Sequence, residues 1–326
     1  MIWRIAAAII VLALVYAFGQ VAWRVSFGHA PPPVATSALP PAPSVAASDS
    51  QTRPRLETSV PIIAPPAAAS PPEPCQPSAA FDAAAARNAA SLETAAWSVF
   101  GRAETGWEVY QPLTASEIGT ACPAQAAGFA QALAAWQGMH GLPPDGIMDS
   151  ATLMGLKLVW LRRRPFAAAT AHGACPPPPA PDQLAFARPD EGYQTKPIQL
   201  RPGALDSYRA MVAAARAEQP AITGDKQLLT IFSGYRDPVS DAANCARDGN
   251  CGTIAKANCS AHRTGTAIDM YLGSAPGYPP ESSADPNRLY QSRSPAYRWL
   301  AANAARFGFV NYPFEPWHWE WTGAAL

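Results

Sequence analysis

The distribution of apolar and polar positions changes character several times along this chain. Ile5 to Trp23 carries no charge and is flanked by Arg4 and Arg24. About nineteen helical residues rise roughly 28 Å, close to the hydrocarbon thickness of a bilayer. No clean small-x-small cleavage site follows, so residues 1–29 read as an uncleaved transmembrane signal anchor. Helical spacing then returns in Ala83–Phe100, Pro123–His140, Ser150–Arg163 and Pro295–Phe307. Leu228–Phe232 is an apolar, β-branched run of the kind a buried strand needs, and Ala267–Tyr271 is a second strand candidate. Trp317–Trp321 alternates, with Trp317, Trp319 and Trp321 on one face and His318 and Glu320 on the other.

Composition turns these segments into a layout. The 326 residues include 36 prolines, most of them between Pro31 and Pro77 or between Pro176 and Pro202. Such stretches cannot run as helix or central strand. Residues 30–78 and 167–203 therefore read as Pro-rich linkers, around a helical domain at 79–166 and ahead of a last domain at 204–326. Lys and Arg together number 24 and balance 24 acidic residues, which gives no support to nucleic-acid binding. The compact basic run Arg162-Arg163-Arg164 reads as a solvated helix end. Six cysteines without a C-x-x-C pair, behind an export segment, read as disulfides in an oxidising compartment. Of Cys245, Cys251 and Cys259, one is left over and must be free or reach back to Cys75, Cys122 or Cys175. The folded parts are expected in the periplasm, anchored to the inner membrane.

In the middle, Trp136-Gln137, Gly141-Leu142, Asp145-Gly146-Ile147 and Thr152-Leu153 follow one another across a compact turn, with Asp149 or Ser150 capping the next helix. This text resembles peptidoglycan-binding-like modules, which implies a small all-α domain that holds wall polymer. His140 reads as structural.

The last third carries the chemistry. His262 and His318 are its only histidines, and Asp269 follows His262 by seven residues. Two His and one carboxylate match the three protein ligands of a catalytic zinc, which leaves a fourth position open. Glu315 precedes His318 by three residues across Pro316. It would sit near the metal without ligating it, able to take a proton from the attacking water. Ser260-x-His262 with Asp269, and Glu315-Pro316-Trp317-His318, stand behind Ser233-Gly234-Tyr235-Arg236. Together they resemble the VanY-like D-alanyl-D-alanine carboxypeptidases, zinc peptidases related in fold to hedgehog domains. The resemblance implies an α+β domain with a small antiparallel sheet and flanking helices. It implies zinc on His262, Asp269 and His318, Glu315 as general base, and Arg236 beside the scissile carbonyl or the substrate carboxylate. Ser260, Tyr235 and Trp317 complete the substrate-binding candidates, although the Trp face also reads as core. Glu320 reads as structural or as a support to the ligands. Relatives carry a Gln after the Ser-Gly-Tyr-Arg motif that is missing here, and a cysteine-bearing loop separates Arg236 from His262.

The function expected is zinc-dependent hydrolysis of peptidoglycan stem peptides. The terminal D-Ala of D-Ala-D-Ala ends would be removed by metal-activated water. The alternatives are a DD- or LD-endopeptidase cutting cross-links, and a non-enzymatic wall-binding protein. Serine catalysis is disfavoured by the absence of S-x-x-K and G-x-S-x-G.

Overall fold

The computed structural model describes Cys75, residues 78–248 and residues 259–323. All of these belong to one compact unit, Ile63–Leu326. The expected membrane anchor and nearly all of the first Pro-rich stretch lie outside the described residues. Among the described residues, no helix is long and apolar enough to cross a membrane.

The helical part opens with Asp82–Ser91 and continues through Gln111–Glu117, Ala127–Met139 and Ser150–Arg162. It is not purely helical. The Ala-rich pattern extends to Phe100, but the helix stops at Ser91, and β1 (Ala96–Trp97) pairs antiparallel with β2 (Glu104–Thr105). Gly106 causes the break: its φ is +72° and a Cβ there would lie 2.5 Å from the Leu92 carbonyl oxygen, which Trp107 N–H reaches at 2.7 Å. The peptidoglycan-binding-like text is spent on the fold. Gln137 Nε2 donates to Thr152 Oγ1 (2.9 Å) and to the Ile147 carbonyl (3.0 Å), while its Oε1 accepts from Gly146 N–H (2.8 Å). Asp149 caps the following helix by accepting from Thr152 N–H at 2.7 Å. His140 lies flat on Trp136, with ring centroids 3.9 Å apart, as its structural reading requires.

Residues 167–203, read as a linker, lie along the last domain. Cys175 is bonded to Cys259, so the late trio does reach back, and Cys75 is bonded to Cys122. Cys245 is disulfide-bonded as well. Beyond Cys175, β3 (Ala185–Phe186) pairs with β4 (Gln199–Leu200), and Arg201 N–H donates to the Gly265 carbonyl at 2.8 Å. Proline denies this stretch a helix, so its backbone groups pair with the neighbouring domain instead.

The sheet that carries the chemistry is antiparallel and four-stranded, in the order β5 (Ile231–Ser233), β6 (Ala267–Met270), β8 (His318–Trp321), β7 (Phe309–Asn311). Helices Pro202–Glu218 and Pro295–Asn303 flank it. This is the α+β arrangement expected from the sequence. Ile268, Met270, Trp317 and Trp319 are buried in one hydrophobic cluster that also contains Trp107, Tyr110, Phe129 and Trp160 of the helical part. The two parts thus share a core and are not held apart by the Pro-rich stretch.

Candidate metal centre

Strand register builds the site. β6 and β8 pair Asp269 with His318, and β5 and β6 pair Ser233 with Asp269, so the three stand in a row across the sheet. His262 comes from a 3-10 turn, Ala261–Thr264, that ends on Gly265 at φ +73°. That left-handed glycine reverses the chain between ligand and strand. The ligand atoms of His262, Asp269 and His318 lie within 4.8 Å of one another, and all three residues are buried. His262 Nε2 is 3.1 Å from Asp269 Oδ2, and His318 Nδ1 is 2.8 Å from Asp269 Oδ1.

The nitrogens facing away from the cluster are also assigned. His262 Nδ1 donates to the Gly234 carbonyl at 2.8 Å, which leaves Nε2 with its lone pair toward the cluster. Gly234 is required there because a Cβ would lie 2.7 Å from the Gln199 carbonyl oxygen. His318 Nε2 faces Glu320 Oε1 at 3.4 Å. Three buried ligand atoms of the right chemical types, with the outer nitrogens already provided for, suit a zinc ion.

Burial drives His262 toward its neutral form and outweighs the opposing pull of Asp269. Burial would raise Asp269, but the two imidazoles hold its carboxyl far below the usual range. Burial also works against a charged His318, yet its bonds to the carboxylates of Asp269 and Glu320 push it up to about 9. Glu320 is held down to about 2, chiefly by Arg164, which overcomes the effect of burial. Desolvation pushes the Glu315 carboxyl above the ordinary range, and the Asp269 carboxylate adds to this against His318.

Glu315 is placed by a turn over Pro316, in which His318 N–H donates to the Glu315 carbonyl at 3.0 Å. Proline at the second position favours such a turn. Asn311 clamps it from β7, with Nδ2 donating to the His318 carbonyl at 2.8 Å. Arg236 sits beside His262: its N–H donates to the His262 carbonyl (3.2 Å), Nη1 reaches Ser233 Oγ (3.3 Å) and Nε reaches Asp241 Oδ1 (3.3 Å). Asp241 is 1 % exposed and also accepts from Ser260 Oγ at 2.7 Å. Ser260 is therefore bound to Asp241, beside the ligand turn. Tyr235 is partly exposed, and its N–H is held by the Gln199 carbonyl at 2.8 Å. Trp317 is not with the others. It is 3 % exposed within the core, and only its carbonyl meets β6, accepting from Met270 N–H at 3.0 Å.

Sequence reasoning named Asp241 only as a possible partner of Arg236 and did not single out Asn311 or Arg164. Arg164 leaves the basic run and turns inward to Glu320, whereas Arg163 pairs with Glu117 at 2.6 Å. The five-residue spacing from Arg236 to Asp241 was the one local signal available.

A cluster of two imidazoles and a carboxylate, with a desolvated acid and a guanidinium beside it, is the arrangement of a hydrolytic metal centre. Residues 197–324 match the family model of VanY, D-alanyl-D-alanine carboxypeptidase, and this part of the chain is a domain of that family of zinc peptidases. No curated protein matches the chain. Among solved structures, the LdcB LD-carboxypeptidase, reported with the basis of its peptidoglycan recognition, is 23% identical over 44% of this chain and 70% of its own, with a TM-score of 0.33. The vancomycin-resistance D,D-pentapeptidase VanY from a VanB-type cassette, in complex with Zn(II), is 20% identical over 45% of this chain and 83% of its own, with a TM-score of 0.28. VanYB in complex with D-alanine-D-alanine gives 20% identity and a TM-score of 0.28, over 45% of this chain and 82% of its own.

Proposed function

We propose that the chain hydrolyses peptidoglycan stem peptides and releases the terminal D-Ala from D-Ala-D-Ala ends. The observation that carries this reading is the convergence of His262, Asp269 and His318 with a desolvated Glu315 whose pKa is raised by burial. When bound, zinc supplies a Lewis acid and lowers the pKa of water to near neutrality. Glu315 takes the proton of the attacking water and delivers it to the leaving amine. Its raised pKa makes it a stronger base than an exposed carboxylate. Arg236, fixed by Ser233 and Asp241, serves the oxyanion or a substrate carboxylate. The helical part is read as the wall-holding module. The disulfides Cys75–Cys122 and Cys175–Cys259 support an extracytoplasmic compartment, with the chain held at the inner membrane by residues 1–29.

One observation favours endopeptidase action as the second reading. A carboxypeptidase needs cationic character for a free terminal carboxylate. Arg236 and Arg263 both lie against the buried Asp241 carboxylate, at 3.3 and 3.4 Å, which offsets their charge. Incubation with defined muropeptides, followed by mass spectrometry, separates the two. Loss of one D-Ala supports the first reading, and conversion of cross-linked dimers to monomers supports the second. Glu315→Ala is expected to slow either reaction by about 10²- to 10⁴-fold while zinc content stays at the wild-type level. Full activity in that variant would overturn the mechanism.

A further inference from the structure

Behind His318 lies a buried ionic group that the reaction above does not use. Glu320 lies two residues along β8 from His318 and is 1 % exposed. Its Oε1 is the group that His318 Nε2 faces, at 3.4 Å, and that nitrogen is buried with no hydrogen-bonding partner at closer range. Glu320 is in turn held from outside the sheet. Arg164 Nε and Nη2 lie 2.7 and 2.5 Å from Oε1, and Phe166 N–H donates to Oε2 at 3.0 Å. The Arg164 guanidinium also covers the Tyr312 ring at 4.1 Å, and Tyr312 meets the His318 ring in a T-shaped contact at 6.1 Å. Asp269, Glu320 and Tyr312 thus surround one imidazole, and Arg164 touches two of the three.

Local sequence accounts for the reach of Arg164. Pro165 forces the residue before it into extended backbone (ψ 123°), which ends the helix Ser150–Arg162 and turns the guanidinium away from it. Pro165 then opens the short helix Pro165–Ala169, whose first N–H groups have no partner within the helix, and Phe166 spends one of them on Glu320. Arg164 and Phe166 lie before residue 197, outside the family-matched segment.

We infer that Arg164 and Glu320 are positioning residues for the metal centre, through which the helical part takes part in holding zinc. A neutral imidazole carries one N–H, and a carboxylate facing Nε2 fixes it there, leaving the Nδ1 lone pair for the metal and raising its basicity. Arg164 keeps that carboxylate charged, buried and aimed. The inference rests on the reading that His318 is a zinc ligand.

The test uses the full chain and its variants Glu320→Gln, Arg164→Ala, Arg164→Lys and the double Arg164→Ala/Glu320→Gln. Zn(II) affinity is measured by competition with a chelating dye, and the His318 ring nitrogens are followed by ¹⁵N NMR without metal. Glu320→Gln should weaken zinc binding by about 10- to 100-fold and reduce the Nε2-protonated tautomer of His318. Arg164→Ala should weaken zinc in the parent but add nothing in the Glu320→Gln background, and Arg164→Lys should recover part of the loss. Should Arg164→Ala fail to fold, Arg164→Lys and Glu320→Gln carry the comparison. Unchanged zinc affinity and tautomer in the folded variants, or losses that multiply in the double variant, would overturn the inference. Wild-type chain that binds no zinc, or His318→Ala that binds it equally well, would instead overturn the ligand reading beneath it.

Discussion

At the scale of single residues, the site depends on groups that touch no substrate. Gly234 offers its carbonyl to His262 only because the backbone passes Gln199 without a side chain between them. Asn311 holds the turn that aims Glu315 and is itself braced by Tyr297 OH at 3.3 Å. Asn311→Ala should leave the His318 carbonyl buried and unpaired, at a cost of about 1–3 kcal/mol. Urea unfolding checks the stability, and a kcat loss larger than any change in KM would show that Glu315 has lost its aim. An unchanged urea midpoint would mean that the bond contributes nothing. Trp317 teaches the opposite lesson. Its position beside the motif made it a substrate candidate, yet 3 % exposure leaves it only a packing role and a carbonyl for β6.

At the scale of elements, the Pro-rich stretch shows how short segments become fixed. The 3-10 turn Pro189–Glu191 lays Glu191 against Arg209 of helix Pro202–Glu218, with Nε 2.8 Å from Oε1. Burial alone would raise Glu191, but Arg209 and Arg188 hold its carboxyl below the ordinary range. A depressed carboxyl contributes stability that is present above the unfolded carboxylate pKa and lost as pH falls through the folded value. The deficit of Glu191→Gln relative to wild type should therefore be on the order of 1 kcal/mol at neutral pH. It should shrink steadily below roughly pH 4.3. Denaturation curves across that range check the sign, and a deficit that grows in acid would contradict it.

At the scale of the molecule, the helical part and the zinc-peptidase domain meet through a buried ionic cluster. Arg288 is 1 % exposed and donates to Glu104 Oε2 (2.9 Å), Tyr110 OH (2.7 Å) and the Phe314 carbonyl (2.8 Å). Phe314 directly precedes Glu315, so this contact joins the docked helices to the loop carrying the proposed base. Removing one partner leaves the other buried and uncompensated, so Arg288→Ala should cost about 3–5 kcal/mol. The double variant Arg288→Met/Glu104→Leu should recover much of that loss, and chemical denaturation measures both. Equal losses in the single and double variants would show that the cluster is not coupled.

Local sequence determined the chemistry and its elements. His262 and Asp269 sit on one turn and strand, and Glu315 and His318 on one turn, so spacing alone was enough to pick them out. The alternation of Trp317–Trp321 was enough to separate a ligand face from a core face. Tertiary structure decided everything that depends on distant segments meeting. It brought Cys175 to Cys259, Arg164 to Glu320 across 156 positions and Arg288 to Glu104 across 184. It also turned a presumed spacer into a packed layer. The physical reason is that periodicity and turn chemistry act over a few residues. Which buried charge finds which partner is settled only when the core closes and every such charge must be compensated.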